Sequence, residues 1–216
     1  MPCRCVLIAY MGLSIWDGAP RTIHFEIDDW RNDSWGLHNI ERRTIRCETA
    51  IASNGSRMNK CDYELFHHYL LRYTSGSSHD LYIQPTHSAY SIDDKNRVAS
   101  GGECKCFWNA ARQVPDDGAC SHTAALRLNR PERVGTNRIA GAVVVDYRSE
   151  EADGSSRRIS LAPQYGCEVM EEVARTKGTL GIPGSQWRYR VTSYKPGEPQ
   201  RSAFELPSSY RVESEK

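Results

Sequence analysis

The sequence predicts a mainly β protein built from antiparallel strands. Three observations carry that prediction. Short runs of alternating apolar and polar residues recur along the chain. Gly, Pro, Asn and Asp punctuate them at spacings of roughly 10–20 residues. Stretches with the apolar period of a helix are few. The 216 residues are enough to bury a sizeable core. With 39% apolar and 25% charged residues, the chain is globular rather than disordered.

The elements follow in chain order. MPCRCVLIAYMGLSIWDGAP (1–20) has Arg4, an apolar stretch and small residues at Gly18-Ala19. It reads as a secretory signal, or else as a disordered lead or first strand. The rest, 21–216, is read as a single β-rich domain. TIHFEID puts Ile23, Phe25 and Ile27 on one face and His24 and Glu26 on the other. DWRNDSWGLHNIERR and CDYELFHHYLLRY have mixed periodicity, and the second suits either a helix capped by Asp62 or a strand. DLYIQP alternates Leu81 and Ile83 with Tyr82, and HSAYSIDD continues after Pro85 to the turn DDKN. RIAGAVVVDYRS (138–149) is a β-branched run in which Gly141 marks a bulge or bend. EADGSSRRISLAP reads as a turn and return strand. CEVMEEVA and QWRYRVTSYKPGEP add two more, the last with Trp187, Tyr189 and Val191 on one face.

Eight cysteines occupy positions 3, 5, 47, 61, 104, 106, 120 and 167. Removal of a signal would leave six, so either count is even, as a disulfide framework requires. Cys47 and Cys61 flank ETAIASNGSRMNK, in which Asn54-Gly55 is a strong hairpin signal. A three-residue loop, Ser53-Asn54-Gly55, with Gly55 left-handed would set Ala52 opposite Ser56. Stepping outward, Cys47 then faces Cys61 at a non-hydrogen-bonded pair, with Cα atoms about 4.5 Å apart, within bridging range. A two-residue loop would put Glu48 there instead. Cys104 and Cys106, one residue apart, bridge poorly to each other on a strand. They reach Cys120 and Cys167 more readily, which leaves two connectivities open. The alternative is a Cys₃His zinc site of Cys104, Cys106, Cys120 and His122, but its Cys-x-Cys spacing is shorter than the usual zinc knuckle.

The C-terminal two thirds carry a further pattern. RIAGAVVVDYRSEEADGSSRRISLAPQYGCEVM (138–170) is followed by YRVTSYKPGEPQRSAFELPSSY (189–210), and LYIQPTHSAYSIDDKNRVA (81–99) shares its strand-turn-strand phrasing. This resembles an uncharacterised family of bacterial extracytoplasmic β-rich proteins. In architecture it is similar to the periplasmic lipoprotein-carrier and lipoprotein-sorting group. The resemblance implies a curved antiparallel sheet forming an incomplete barrel around an apolar cavity, with few short helices. It implies an extracytoplasmic location, periplasmic or secreted. It also implies a cysteine after Gly166, which favours a disulfide at Cys167 over a metal site.

Composition removes several functions. The net charge is +1, and the longest basic stretches, ERRTIR (41–46) and SSRRIS (155–160), do not make a nucleic-acid face. No run of about 18 apolar residues supports a membrane-spanning helix. The sequence contains no nucleophile elbow, P-loop, dinucleotide fingerprint or HExxH motif. The carboxylate pairs Asp28-Asp29, Asp93-Asp94, Asp116-Asp117, Glu150-Glu151 and Glu171-Glu172 fall at turns, strand ends or surfaces. Strand neighbours also point to opposite faces, so they do not converge on one bond. The chain is therefore expected to be non-enzymatic and without cofactor. The first expectation is a carrier or binder of a lipid-like ligand on the concave sheet face. Its apolar wall would be Leu81, Ile83, Val143, Val145, Ile159, Leu161, Trp187, Tyr189 and Val191. The alternatives are an envelope protein-interaction module without a ligand and the small zinc protein above. The expected partners are a lipid or another envelope protein.

Overall fold

The computed structural model describes residues 19–32, 40–67, 72–103, 120–178 and 184–213. Twelve strands form one sheet. They are β1 (Arg21–Asn32), β2 (Ile40–Ile51), β3 (Arg57–His67), β4 (Arg72–Ile83), β5 (Ser88–Asp93), β6 (Val98–Glu103), β7 (Glu132–Ile139), β8 (Ala142–Glu150), β9 (Ser156–Ala162), β10 (Glu168–Arg175), β11 (Gln186–Pro196) and β12 (Arg211–Glu213). Their spatial order is β12-β6-β5-β4-β3-β2-β1-β11-β10-β9-β8-β7. Two antiparallel meanders, β1–β6 and β7–β11, thus meet at the β1–β11 ladder. The short β12 returns to pair parallel with β6. The sheet is curved, and its two ends, β7 and β12, do not meet, so the barrel is incomplete. The segments 81–99, 138–162 and 186–195 share this sheet but are not successive in it, because β1–β3 stand between the first and the others.

Turn chemistry sets these hairpins. Between β2 and β3, the Ala52 N–H donates to the Ser56 carbonyl at 2.9 Å and the Gly55 N–H to the Ala52 carbonyl at 3.0 Å, with Gly55 at φ +87°. This is the expected three-residue loop, and only glycine takes that φ without strain. The β8–β9 turn repeats it: Glu151 N–H to Ser155 carbonyl, Gly154 N–H to Glu151 carbonyl, Gly154 at φ +80°. Asn54 and Asp153 hold the two loops alike, each side chain accepting from the backbone N–H two residues on. Ala140-Gly141 is a tight two-residue turn between Ile139 and Ala142, rather than a bulge within one strand.

The mixed-period stretches are strands where they are described: DWRNDSWGLHNIERR at the end of β1 and the start of β2, and CDYELFHHYLLRY, which takes the strand alternative, in β3 and the start of β4. Cross-strand pairing decides these ambiguous segments. Among the described residues one α-helix, α1 (Ser121–Arg127), forms where none was foreseen.

Register assigns the faces. Phe25 lies opposite Cys47 and Val191, and Ile27 opposite Ile45 and Tyr189. Tyr189 lies opposite Glu172, Glu172 opposite Ile159, and Ile159 opposite Tyr147. This row is the inner face and carries the main core. The opposite, outer face carries a second, smaller core of Ala50, Met58, Leu81, Ile92 and Ala99, against which Phe204, Leu206 and Tyr210 pack.

Candidate functional site

Strand pairing brings part of the expected apolar wall together on the inner face. Val145 lies opposite Leu161 and Tyr147 opposite Ile159, while Tyr189 and Val191 approach across β10 and β11. The Tyr189 ring lies 5.1 Å from that of Phe25. Val145, Ile159, Leu161, Tyr189 and Val191 are all at most 5% exposed and belong to one packed cluster, with Trp187 half-buried against it. Three residues depart from the expectation. Leu81 is buried and Ile83 half-buried, but both belong to the outer-face core. Both faces of β4 are covered there, since Tyr82 is buried beside Leu81, so alternation could not assign the side. Val143 is 42% exposed between the fully buried Ala142 and Val144, so at this end of β8 the buried face is the one that Val143 turns away from.

A lid of the chain's own residues lies on this face. Cys120 is joined to Cys167, and α1 follows directly with Thr123 and Ala124 buried, then Leu128. The Ser121 hydroxyl lies 3.3 Å from that of Tyr147, and Arg157 donates to the Arg127 carbonyl at 3.2 Å. The sequence signal for α1 was the run Thr123-Ala124-Ala125-Leu126, rich in good helix formers. Its seven residues are too short for periodicity to announce it.

The cysteines divide into two cases. Cys47 and Cys61 are bonded, with Cα atoms 4.1 Å apart at the register that the turn dictates. Cys120 and Cys167 are also bonded, with Cα atoms 5.5 Å apart. That pairing overturns both connectivities expected from the sequence, which linked Cys120 and Cys167 to Cys104 and Cys106. The fold sets Cys120 at the start of α1, within bonding distance of Cys167 just before β10. Cys104 and Cys106 lie outside the described residues. The Cys120 sulfur, committed to a disulfide, is not available as a thiolate, so the Cys104/Cys106/Cys120/His122 zinc site loses a ligand. Among the described residues no group of three or more His, Cys, Asp and Glu is arranged to hold a metal.

Buried charge runs through the same layer. Glu172 is fully buried on the inner face, where Arg157 donates to it at 2.6 Å and Arg127 stands at 3.6 Å. Glu171, its neighbour, points to the outer face and is held by Arg158 and Arg188, both at 2.6 Å. The pair diverges as strand geometry requires, yet both carboxylates are buried in mid-strand rather than at a surface. Arg21, also fully buried, pairs with Glu168 at 2.8 Å. Burial lowers the pKa of Arg127 against the attraction of Glu172. Burial, then repulsion from Arg21, lowers that of Arg57 to about 10. Burial, then the Glu168 charge, raises that of the Tyr189 phenol. Each carboxylate here sits beside arginine, and these ion pairs tie the strands of the layer together.

Among the described residues, two clefts lie at the end of the sheet formed by β1, β10 and β11. One cleft of about 810 Å³ is lined by Asp28, Trp30, Arg42, Phe66, Arg175 and Gln186 among others. A second, of about 520 Å³, lies across the same hairpin beside Asp29, Arg31, Arg157 and Trp187. Both have charged walls. Arg42 grips Asp28 at 3.2 and 3.3 Å, and Arg31 holds Asp29 at 2.8 Å.

No family model matches the chain, and no curated protein does either. Several solved structures align with the chain over most of its length. A chain of the MucA/MucB complex of Pseudomonas aeruginosa aligns with a TM-score of 0.44 and 12% identity, over 89% of this chain and 57% of that one. LprF from Mycobacterium bovis aligns with a TM-score of 0.42 and 8% identity, over 90% and 91%. A putative outer membrane lipoprotein-sorting protein domain from Vibrio parahaemolyticus aligns with a TM-score of 0.23 and 10% identity, over 86% and 89%. The chain spans little more than half the length of the MucA/MucB chain that it matches.

Proposed function

We propose that the protein is a non-enzymatic binding module of an oxidising, extracytoplasmic compartment, and that its ligand is another protein rather than a lipid-like chain. One observation carries the choice. Five of the side chains that would have walled an acyl cavity, Val145, Ile159, Leu161, Tyr189 and Val191, are at most 5% exposed and belong to one packed cluster with Ala124 of α1. A carrier needs that apolar surface unfilled, because burying the ligand there supplies its affinity. Here the surface is already used by the fold. The buried Glu172–Arg157 and Glu172–Arg127 pairs add to this, since an acyl chain entering the layer would have to separate or desolvate charges. The two disulfides support that compartment, since such bonds persist where thiols are not kept reduced.

The test is a titration of the purified, oxidised protein with a fluorescent fatty acid such as cis-parinaric acid. The expected result is no saturable binding. Saturation near one acyl chain per protein would restore the carrier reading. In parallel, a photo-crosslinking residue introduced at exposed positions in the native compartment should give a discrete protein adduct.

A further inference from the structure

The outer-face core is closed by a strap that makes a 3-10 turn at Arg201–Phe204 and then runs irregularly to β12. After β11 the chain turns at Lys195–Gln200, where Gly197 has φ +106° and donates its N–H to the Pro20 carbonyl at 2.9 Å. It then crosses the outer face and ends as β12 on the edge of β6. The groove beneath is apolar and well buried: Ala50, Met58, Leu81, Ile92 and Ala99 are between 0% and 7% exposed. The strap that covers it is not. Phe204, Leu206 and Tyr210 are only half-buried, Val212 is 54% exposed, and the whole of β12 is exposed.

Its fastenings are few. The Glu198 carboxylate accepts from the Ser53 N–H at 3.2 Å, and the Arg211 N–H donates to the Arg97 carbonyl at 2.9 Å. The Tyr210 hydroxyl donates to Asp94 at 2.9 Å, and Lys60 and His79 hold that same carboxylate at 3.1 and 3.2 Å. Three residue pairs join β12 to β6. Every other ladder of the sheet has at least four, and β1–β2 has twelve. Segments with few buried contacts and exposed hydrogen bonds open at the lowest free energy.

We infer that this groove is a docking site for an extended segment of a partner protein, held in self by the strap. The strap itself defines the partner's chemistry. It presents an aromatic and an aliphatic side chain two residues apart (Phe204, Leu206), then a donor for Asp94, then a strand parallel to β6. A partner segment of that pattern would displace the strap and add to the sheet edge, a recognised mode of peptide capture. The inference rests on the protein-binding reading above and assigns it a place.

The test uses the full oxidised chain and a fluorescein-labelled peptide of residues 200–213. The unmodified protein should bind the peptide weakly, because its own strap occupies the groove. The double variant Phe204→Ala/Leu206→Ala, which alters the strap and not the groove, should bind it about tenfold more tightly as the self-occupied state is relieved. A peptide with both apolar positions changed to serine should not bind. Hydrogen exchange on the unmodified chain gives an independent readout, in which 211–213 should exchange well ahead of Ala99. Equal peptide affinity of the variant and the parent would overturn the inference. So would exchange of 211–213 only on global unfolding, or dimers that trade straps between copies. Fatty-acid binding sinks the protein-binding reading by itself, whereas a failed peptide titration with an intact crosslinked adduct sinks only this placement.

Discussion

The two cores of this sheet are made differently. The inner one spans β1–β3 and β7–β11 and is sealed by a helix fastened through a covalent bond, Cys120–Cys167. The outer one lies on β2–β6 and is covered by a strap with no covalent link, fastened by a few polar contacts and three half-buried side chains. One sheet therefore has a face committed to stability and a face whose cover can be exchanged. Removing parts from each should separate them in size and in kind.

The largest effect should come from the covalent seal. Replacing Cys120 and Cys167 together by alanine opens a loop of sequence separation 47. The chain-entropy relation makes this worth about 4 kcal/mol. The expected outcome is a large fall in the urea midpoint, with α1 losing protection first. A midpoint equal to the parent's would show that α1 is held by packing alone.

Next is a cavity in the inner core. Leu161 is fully buried opposite Val145 and Val169. Leu161→Ala should cost about 3 kcal/mol in global stability. By contrast, Phe204→Ala in the strap should cost about 1 kcal/mol or less, because the ring is only half-buried and its loss frees a local segment. Denaturant unfolding of both variants measures the contrast. Similar losses would mean that the strap folds as part of the main cooperative unit.

The same contrast marks what could be read from the sequence. Ser53-Asn54-Gly55 determines a turn, the turn determines a register, and the register places Cys47 on Cys61; each step is local, so the sequence alone carried it. The inner wall was partly legible, because Ile159, Leu161, Tyr189 and Val191 alternate against exposed arginines such as Arg158 and Arg190. Leu81 was not, since both faces of β4 are covered and period two then says nothing about which core a residue joins. The Cys120–Cys167 bond was hidden for a related reason. It depends on where α1 lands after a long excursion, a non-local choice that no spacing encodes. The strap was hidden as well, since FELPSSY has neither strand nor helix period and acquires its role only by lying on Met58 and Leu81.

The smallest effect should be the acid response of the strap. Asp94 is the carboxylate on which Tyr210, Lys60 and His79 converge. Burial works against its charge, but hydrogen bonds from Tyr210, Lys60 and His79 outweigh this and hold its pKa below the usual carboxylate range. A carboxyl depressed in the folded state stabilises fully above its unfolded value, about 3.9, and loses that contribution as pH falls through the lower folded value. Protection of Phe204–Glu213 should thus stay level from neutral pH down to about pH 4 and decline only in stronger acid. Proteolysis of the strap by an acid-tolerant protease such as pepsin measures the lower range, and hydrogen exchange the upper. Asp94→Asn should expose the strap modestly at every pH and flatten the profile, because the amide still accepts from Tyr210 but no longer attracts Lys60. Loss of strap protection beginning already at neutral pH would remove Asp94 as the controlling group.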